Sequence, residues 1–175
     1  MNILVFLQGT VIMHNKAAGL SREEIIKQVK EEDQSVRDYE TYIPIGKAAQ
    51  KLHHWLEQGS QISYLSALTN SKLARKDEMF SKSTLQIDKT ILQRHNFPEG
   101  KIYHRNANET YQDVVRRIQP APNILIEDNC ESIGSDQITW PKLSTELKEK
   151  IKPIIVPEFS GIDNLPDNLT ELKNK

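Results

Sequence analysis

Short apolar runs alternate along the chain with longer segments in which apolar residues recur every three or four positions. The short runs predict five β-strands, because a strand buried on both faces reads as continuous hydrophobic sequence. Strands that alternate with helices are typical of a parallel sheet covered by helices on both faces. The pattern therefore predicts an α/β, Rossmann-like three-layer sandwich, with parallel strands over residues 3–7, 61–66, 101–104, 123–127 and 153–156.

The segments between these strands carry helical periodicity. Residues 21–24 read Ser-Arg-Glu-Glu, a capping-box sequence that predicts the start of a first helix, over 21–32. The next apolar face, over 48–56, is followed by Gly59, a residue type common just beyond a helix end. Further helices are predicted over residues 85–92, 111–118, 142–150 and 169–172.

The length of 175 residues is most economically one domain with a substantial core. No internal repeat or linker-like composition marks a second domain. We therefore expect a single domain over 1–175, with a small insert carrying the first helix at about 11–44 and a C-terminal extension at about 159–175.

The charge balance argues against nucleic-acid and membrane partners. The chain has 23 lysine and arginine residues against 24 aspartate and glutamate residues, so no overall field favours a polyanion or a lipid surface. The basic cluster of Lys72, Arg75 and Lys76 is followed at once by Asp77 and Glu78, which indicates a solvated helix face.

Cysteine content and the first apolar run predict a cytoplasmic setting. Cys130 is the only cysteine, so no internal disulfide can form, and no Cys/His group has the spacing of zinc ligands. The first apolar run has five residues and no basic segment before it, too short for a signal peptide or a membrane span.

Polar residues cluster where the predicted strands end. In an open α/β sheet, ligands bind beyond the carboxyl ends of the strands, near the point where the strand order reverses. We expect a crevice there that draws on Gln8, Gly9 and Thr10, on Ser66, Thr69 and Asn70, on His104 and Arg105, on Glu127, Asp128 and Asn129, and on Glu158.

The order of elements and these strand ends resemble the haloacid dehalogenase superfamily of α/β phosphohydrolases over most of the chain. In that superfamily the first strand ends Asp-x-Asp-Gly-Thr, which aligns without gaps on Phe6-Leu7-Gln8-Gly9-Thr10. Its second strand ends in Ser or Thr, matched by Ser66, and its fourth in an acidic pair, matched by Glu127-Asp128. The family's Lys or Arg has no clean match, and Arg105 is nearest by location. The resemblance implies a haloacid-dehalogenase-like fold with a minimal helical cap insert.

Two departures from this pattern remove the family's chemistry. In an active member the first Asp attacks a phosphoryl group and the second protonates the leaving group. Here Phe6 and Gln8 hold those positions, and neither side chain can do that work at neutral pH. Loss of a nucleophile costs on the order of 10⁶ in rate in a serine-protease triad. Phosphohydrolase activity of the haloacid dehalogenase type is therefore not expected.

The resemblance implies Mg²⁺ at the fourth motif, where Asp128 and Glu127 are the candidate ligands. Adjacent strand residues point to opposite faces, so one acid of the pair is expected to reach the crevice. The alternative is that an acid caps the turn near Cys130 and Glu131. Mg²⁺ is the one cofactor implied, and without the nucleophile none is required.

An anion site can survive the loss of the two acids. The N–H groups of the turn, a hydroxyl and a guanidinium need no carboxylate partner. The competing interpretation is that Phe6 and Leu7 extend the core into the pocket floor, while Ser66 and Asn70 serve only as turn and cap residues. The candidate ligand-binding residues are Gln8, Gly9, Thr10, Ser66, Asn70 and Arg105.

Two functions follow as hypotheses. The favoured one is a catalytically degenerate haloacid-dehalogenase-like protein that binds a phosphorylated small molecule or a protein partner. The alternative is a phosphatase or other hydrolase with an atypical active site drawn from His14, Ser66, Arg105 and Asp128, in which Ser66 is the nucleophile and His14 the base.

Overall fold

The computed structural model describes residues 1–70 and 83–174, and the basic cluster over 72–76 lies outside that part of the chain. Seven strands are present within it. They are β1 (Asn2–Phe6), β2 (Ile12–Met13), β3 (Ile43–Pro44), β4 (Gln61–Thr69), β5 (Lys101–Arg105), β6 (Ile124–Asp128) and β7 (Lys152–Val156).

Five of these strands form one parallel sheet, as the sequence predicts, and the structure gives their order as β5-β4-β1-β6-β7. The chain runs outward from β1 through β4 to β5, then crosses back to β6 and β7. The strand order therefore reverses beside β1. Strand β4 extends three residues beyond its predicted end, because Thr69 pairs with Arg105 past a register shift that begins after Leu65.

Six α-helices lie within the described residues, and side-chain caps mark the starts of most of them. Ser21 accepts a hydrogen bond from the Glu24 N–H while the Glu24 carboxylate accepts one from the Ser21 N–H, the predicted capping box. The last crossover helix is shorter than predicted, because Ser144 caps a new start at Thr145. The helices are α1 (Arg22–Lys30), α2 (Ala48–Glu57), α3 (Thr84–Arg94), α4 (Tyr111–Arg117), α5 (Thr145–Lys150) and α6 (Leu169–Asn174).

Alternating side chains of β1 build a core on each face of the sheet. Ile3, Val5 and Leu7 face the side covered by α2, α3 and α6. Leu4 and Phe6 face the other side, covered by α4 and α5. The result is a three-layer α/β sandwich of Rossmann-like type with β1 at its centre, which confirms the predicted architecture at that level.

The segment between β2 and β3 forms a small unit at the carboxyl edge of the sheet. The two strands pair antiparallel, with Ile12 opposite Pro44, and so close the unit at its base. Helix α1 and three 3₁₀ turns lie between them. On one side this insert is held by α3, since the Arg94 guanidinium donates to the Glu40 carbonyl at 2.7 Å.

The C-terminal segment over 159–174 packs on the sandwich and completes its core. Ile162 and Leu172 are fully buried. The Trp55 indole N–H donates to the Pro166 carbonyl at 3.0 Å, and Lys51 donates to the Leu165 carbonyl at 2.8 Å. Within the described residues, no helix has the length and apolar character needed to cross a membrane.

We expect Leu172→Ala to lower the free energy of unfolding by about 2–5 kcal/mol, because the substitution opens a cavity at a fully buried site. Leu56→Ala is the matched control, since Leu56 lies on the adjoining α2 and is 39% exposed. Leu56→Ala should lower the free energy of unfolding by less than about 1 kcal/mol. Urea denaturation of both variants measures the difference, and equal losses would contradict the docking of α6.

Candidate functional site

A crevice of about 360 Å³ opens at the carboxyl edge of the sheet, beside the point where the strand order reverses. Phe6, Gln8 and Gly9 come from the end of β1, Arg105 from β5, and Asp128 from β6. The insert supplies the opposite wall. The volume is in the range typical of small-molecule sites, roughly 300–1,000 Å³.

Phe6 forms part of the crevice wall and leaves the crevice open. Its side chain is 8% exposed and packs edge-on against Tyr111, with ring centroids 5.0 Å apart. Leu7 is fully buried on the opposite face of the sheet. The position that the resemblance assigns to a nucleophile therefore presents hydrocarbon.

Gln8 is held by hydrogen bonds at both ends of its amide. Its Oε1 accepts from the Ala67 N–H at 2.8 Å, while its Nε2 donates to Asp88 Oδ1 at 3.2 Å and to Ser66 Oγ at 3.4 Å. The other oxygen of Asp88 is 2.8 Å from Nε2 of His104. A polar network thus links the ends of β1, β4 and β5 to α3.

Asp88 is the residue in this network that sequence reasoning missed. It is fully buried, and it lies on the same face of α3 as Ile91 and Leu92. An acid at an apolar position of a helix was the available signal, because a buried carboxylate requires partners.

The polar groups of the turn after β1 form hydrogen bonds within the protein. The Gly9 N–H donates to the Ile12 carbonyl at 2.9 Å, and Thr10 is fully buried with its hydroxyl donating to Asp128 Oδ2 at 2.8 Å. Gly9 has a φ of +82°, and a Cβ there would lie 2.8 Å from the same Asp128 oxygen. The close approach of turn and carboxylate therefore depends on glycine.

The other candidate ligand-binding residues separate into two groups. Gln8, Gly9 and Arg105 line the crevice. Ser66 is fully buried, and its hydroxyl accepts from the Leu68 N–H at 3.1 Å. Asn70 is exposed, and its N–H donates to the Arg105 carbonyl. Thr10, Ser66 and Asn70 are therefore not part of the crevice wall.

Three buried carboxyls lie at the ends of β6 and β7, and burial raises the pKa of each. Asp128 accepts from the Thr10 hydroxyl and from the Cys130 N–H, the latter at 2.9 Å. Glu158 accepts from the backbone N–H and the hydroxyl of Ser132, both at 2.6 Å. These bonds fix the two loops beside Gly9.

Glu127 serves a different loop from its neighbour Asp128. Its carboxylate oxygens accept from the N–H groups of Thr139 and Trp140, each at 2.8 Å, so it fixes the approach to α5. Both acids of the pair therefore hold loops.

The described residues do not fit a metal site. None of their His, Cys, Asp and Glu side chains forms a group of three or more that could hold an ion. Mg²⁺ requires an octahedron of oxygens. Asp128 brings one carboxylate whose two oxygens already accept from protein donors, and the Glu127 oxygens bond elsewhere. We therefore assign no metal role to Glu127 and Asp128.

Arg105 is the one lysine or arginine of the described chain that lines the crevice. Its guanidinium lies over the Tyr111 ring at 4.2 Å and donates through Nη2 to the Ala67 carbonyl at 3.3 Å. The Nε–H is shielded from solvent and has no hydrogen-bond partner. Arg116 and Arg117 are engaged elsewhere, with Asp113 and with Glu109 respectively.

His14 reaches the crevice from the insert. Its Nε2 lies 2.7 Å from Gln28 Oε1, and its ring meets Phe159 edge-on. Ser66 bonds instead to Gln8 and Leu68, so no hydrogen bond joins it to His14. The described geometry provides no nucleophile and base pair from these two residues.

The insert is tied to the loops after β6 and β7 by Arg22. Its Nε–H donates to the Glu158 carbonyl at 2.7 Å, and its Nη2 pairs with the Glu131 carboxylate. The Arg22 contacts hold one side of the insert, and the hydrogen bond from Arg94 to Glu40 holds the other side.

In comparisons with known proteins, no family model and no curated protein matches this chain. The resemblance to the haloacid dehalogenase superfamily therefore rests on the residues and element order described above.

The raised pKa of Asp128 predicts a pH dependence of stability. A carboxyl whose folded-state pKa exceeds its unfolded value binds protons more tightly in the folded state, so its stabilising contribution is present at low pH. That contribution is lost as pH rises from the ordinary Asp value of about 4 through the raised value. We expect the stability of wild type relative to Asp128→Asn to decline above pH of about 4, as measured by urea denaturation between about pH 3 and 8.

Asp113→Asn is the control for this measurement. Hydrogen bonds from Thr110 lower the pKa of Asp113, so its stabilising contribution is present above the ordinary Asp pKa and is lost as pH falls. The wild-type advantage over this variant should therefore grow up to about pH 4 and then stay level. An advantage over Asp128→Asn that also grew with pH would contradict the assignment.

Proposed function

We propose that this chain is a haloacid-dehalogenase-like domain that has lost phosphohydrolase chemistry and binds a small phosphorylated ligand in the crevice. One observation carries the proposal: the crevice is open and has the Arg105 guanidinium on its wall, while β1 contributes Phe6 and Gln8 where the resembled site has two acids. These features support binding without a nucleophile.

The loss of chemistry follows from how the β1 side chains are held. Phe6 is packed against Tyr111 and has no lone pair to attack phosphorus. Gln8 is engaged at both ends of its amide, and an amide does not exchange a proton with a leaving group at neutral pH. Neither replacement can be made active by a small movement of the chain.

Arg105 supports recognition of an anion. A guanidinium presents several N–H groups in one plane and matches the geometry of a phosphate better than an ammonium does. Stacking on Tyr111 holds this guanidinium in place on the crevice wall. A phosphate in the crevice would lie beside it.

The nearby carboxyls set the conditions for such binding. Asp128 and Glu158 would repel a phosphate when ionised. Burial raises the pKa of both, which favours their neutral forms. Protonation of the two carboxyls would remove this repulsion.

The class of ligand is inferred by analogy with the superfamily, and the place where the ligand binds is inferred from the geometry of the crevice. A concave crevice that has one cation among the described residues suits a small molecule better than the flat surface of a protein partner. The alternative, a hydrolase with an atypical active site, is favoured by no contact among the described residues.

We expect isothermal titration to detect binding of inorganic phosphate and simple phosphate monoesters to the wild type. Arg105→Gln should weaken this binding by about 10- to 100-fold, the effect expected for loss of a charged hydrogen-bonding partner. Arg116→Gln is the matched control, because Arg116 is paired with Asp113 on exposed α4 and should leave affinity unchanged.

A parallel assay of phosphate-ester hydrolysis with added Mg²⁺ distinguishes the alternative. No turnover is expected. Turnover abolished by Asp128→Asn would support the hydrolase, and a wild type that bound none of the phosphate compounds would contradict the proposed binding site.

A further inference from the structure

We infer that the ligand of the crevice is a phosphomonoester with an apolar, preferably aromatic, body, and that Val36 and Tyr39 of the insert select it. This inference rests on the proposed function and specifies the substrate class for the same site.

The insert lines its side of the crevice mainly with hydrocarbon. Its residues there are Val29, Val36, Tyr39 and Tyr42, together with His14. The ring centroids of Tyr39 and Tyr42 lie 5.4 Å apart, and the Tyr42 hydroxyl donates a hydrogen bond to the Val36 carbonyl at 2.7 Å. This wall therefore offers a ligand apolar contacts and the faces of aromatic rings.

The opposite side continues the apolar surface. Leu68 lines the crevice from the extended end of β4. Ile133 lines it from the loop after β6 and is 63% exposed. Phe6 contributes its ring from β1. Apolar surface thus reaches the crevice from three parts of the sandwich as well as from the insert.

Four polar side chains of the crevice already have protein partners. Gln8 bonds to Ala67 and Asp88, Asp128 to Thr10 and Cys130, Glu158 to Ser132, and His14 to Gln28. A sugar phosphate would bring several hydroxyls that must lose water on binding, and a buried hydroxyl without a partner is unfavourable.

Arg105 differs from these side chains, because its guanidinium is a cation on the crevice wall. It can attract one anionic group, and the apolar walls can contact a hydrocarbon body. A ligand with a phosphate at one end and a ring at the other matches both, because the ring loses little on leaving water and gains contact with Tyr39.

Titration of the full chain with inorganic phosphate, phenyl phosphate and glucose 6-phosphate tests this inference. Phenyl phosphate should bind about 10- to 100-fold more tightly than inorganic phosphate, the gain expected when one phenyl-sized group leaves water. Glucose 6-phosphate should bind no more tightly than inorganic phosphate.

Two substitutions test the selecting residues. Tyr39→Ala should weaken phenyl phosphate by about 3- to 10-fold, in line with the loss of an aromatic contact, and leave inorganic phosphate unchanged. Val36→Thr keeps the side-chain shape, so it tests polarity at a half-buried site without removing volume. It should also weaken phenyl phosphate selectively, while unchanged affinity for inorganic phosphate reports an intact fold.

The contrary outcomes are distinct. Glucose 6-phosphate binding as tightly as phenyl phosphate, or either substitution weakening phenyl phosphate and inorganic phosphate equally, would overturn the inference and leave the phosphate site in place. Binding of none of the three probes would overturn the proposed function and the inference together.

Discussion

The hydrogen bond from the Thr10 hydroxyl to the buried Asp128 carboxylate is the contact on which the carboxyl edge of the sheet depends. It joins the turn after β1 to the end of β6, and the same turn accepts the Phe159 N–H through the Gly9 carbonyl at 2.8 Å. Gly9 makes this approach feasible, since a side chain there would collide with Asp128. The floor of the crevice is therefore a single hydrogen-bonded unit built from β1, β6 and β7.

This unit gives both acids at the end of β6 a structural role. Asp128 receives donors from the turn and from Cys130, and Glu127 receives two N–H groups from the loop that precedes α5. Removing either would leave buried donors without partners, which costs about 1–3 kcal/mol for each group. These hydrogen bonds are sufficient to explain an acid at each position.

The sequence predicted the sandwich well because its signals are local. A continuous apolar run such as residues 3–7 is typical of a strand in the middle of a covered sheet, and the Ser21 capping box marks a helix start by contacts within four residues. The site was harder to predict. Whether the Thr10 and Ser66 hydroxyls face a ligand depends on partners 118 and 58 residues away along the chain, Asp128 and Gln8. No spacing rule carries that information.

The network around Gln8 also restricts the side chains that position 8 can accept. Asp88, fully buried on α3, accepts a hydrogen bond from the Gln8 amide. An aspartate at position 8 would remove that donor and direct a second carboxylate toward one that solvent cannot reach, a destabilising arrangement. An acid at position 8 would thus require a prior change at Asp88. The packing of α3, a helix outside the crevice, therefore limits which side chain the end of β1 can carry.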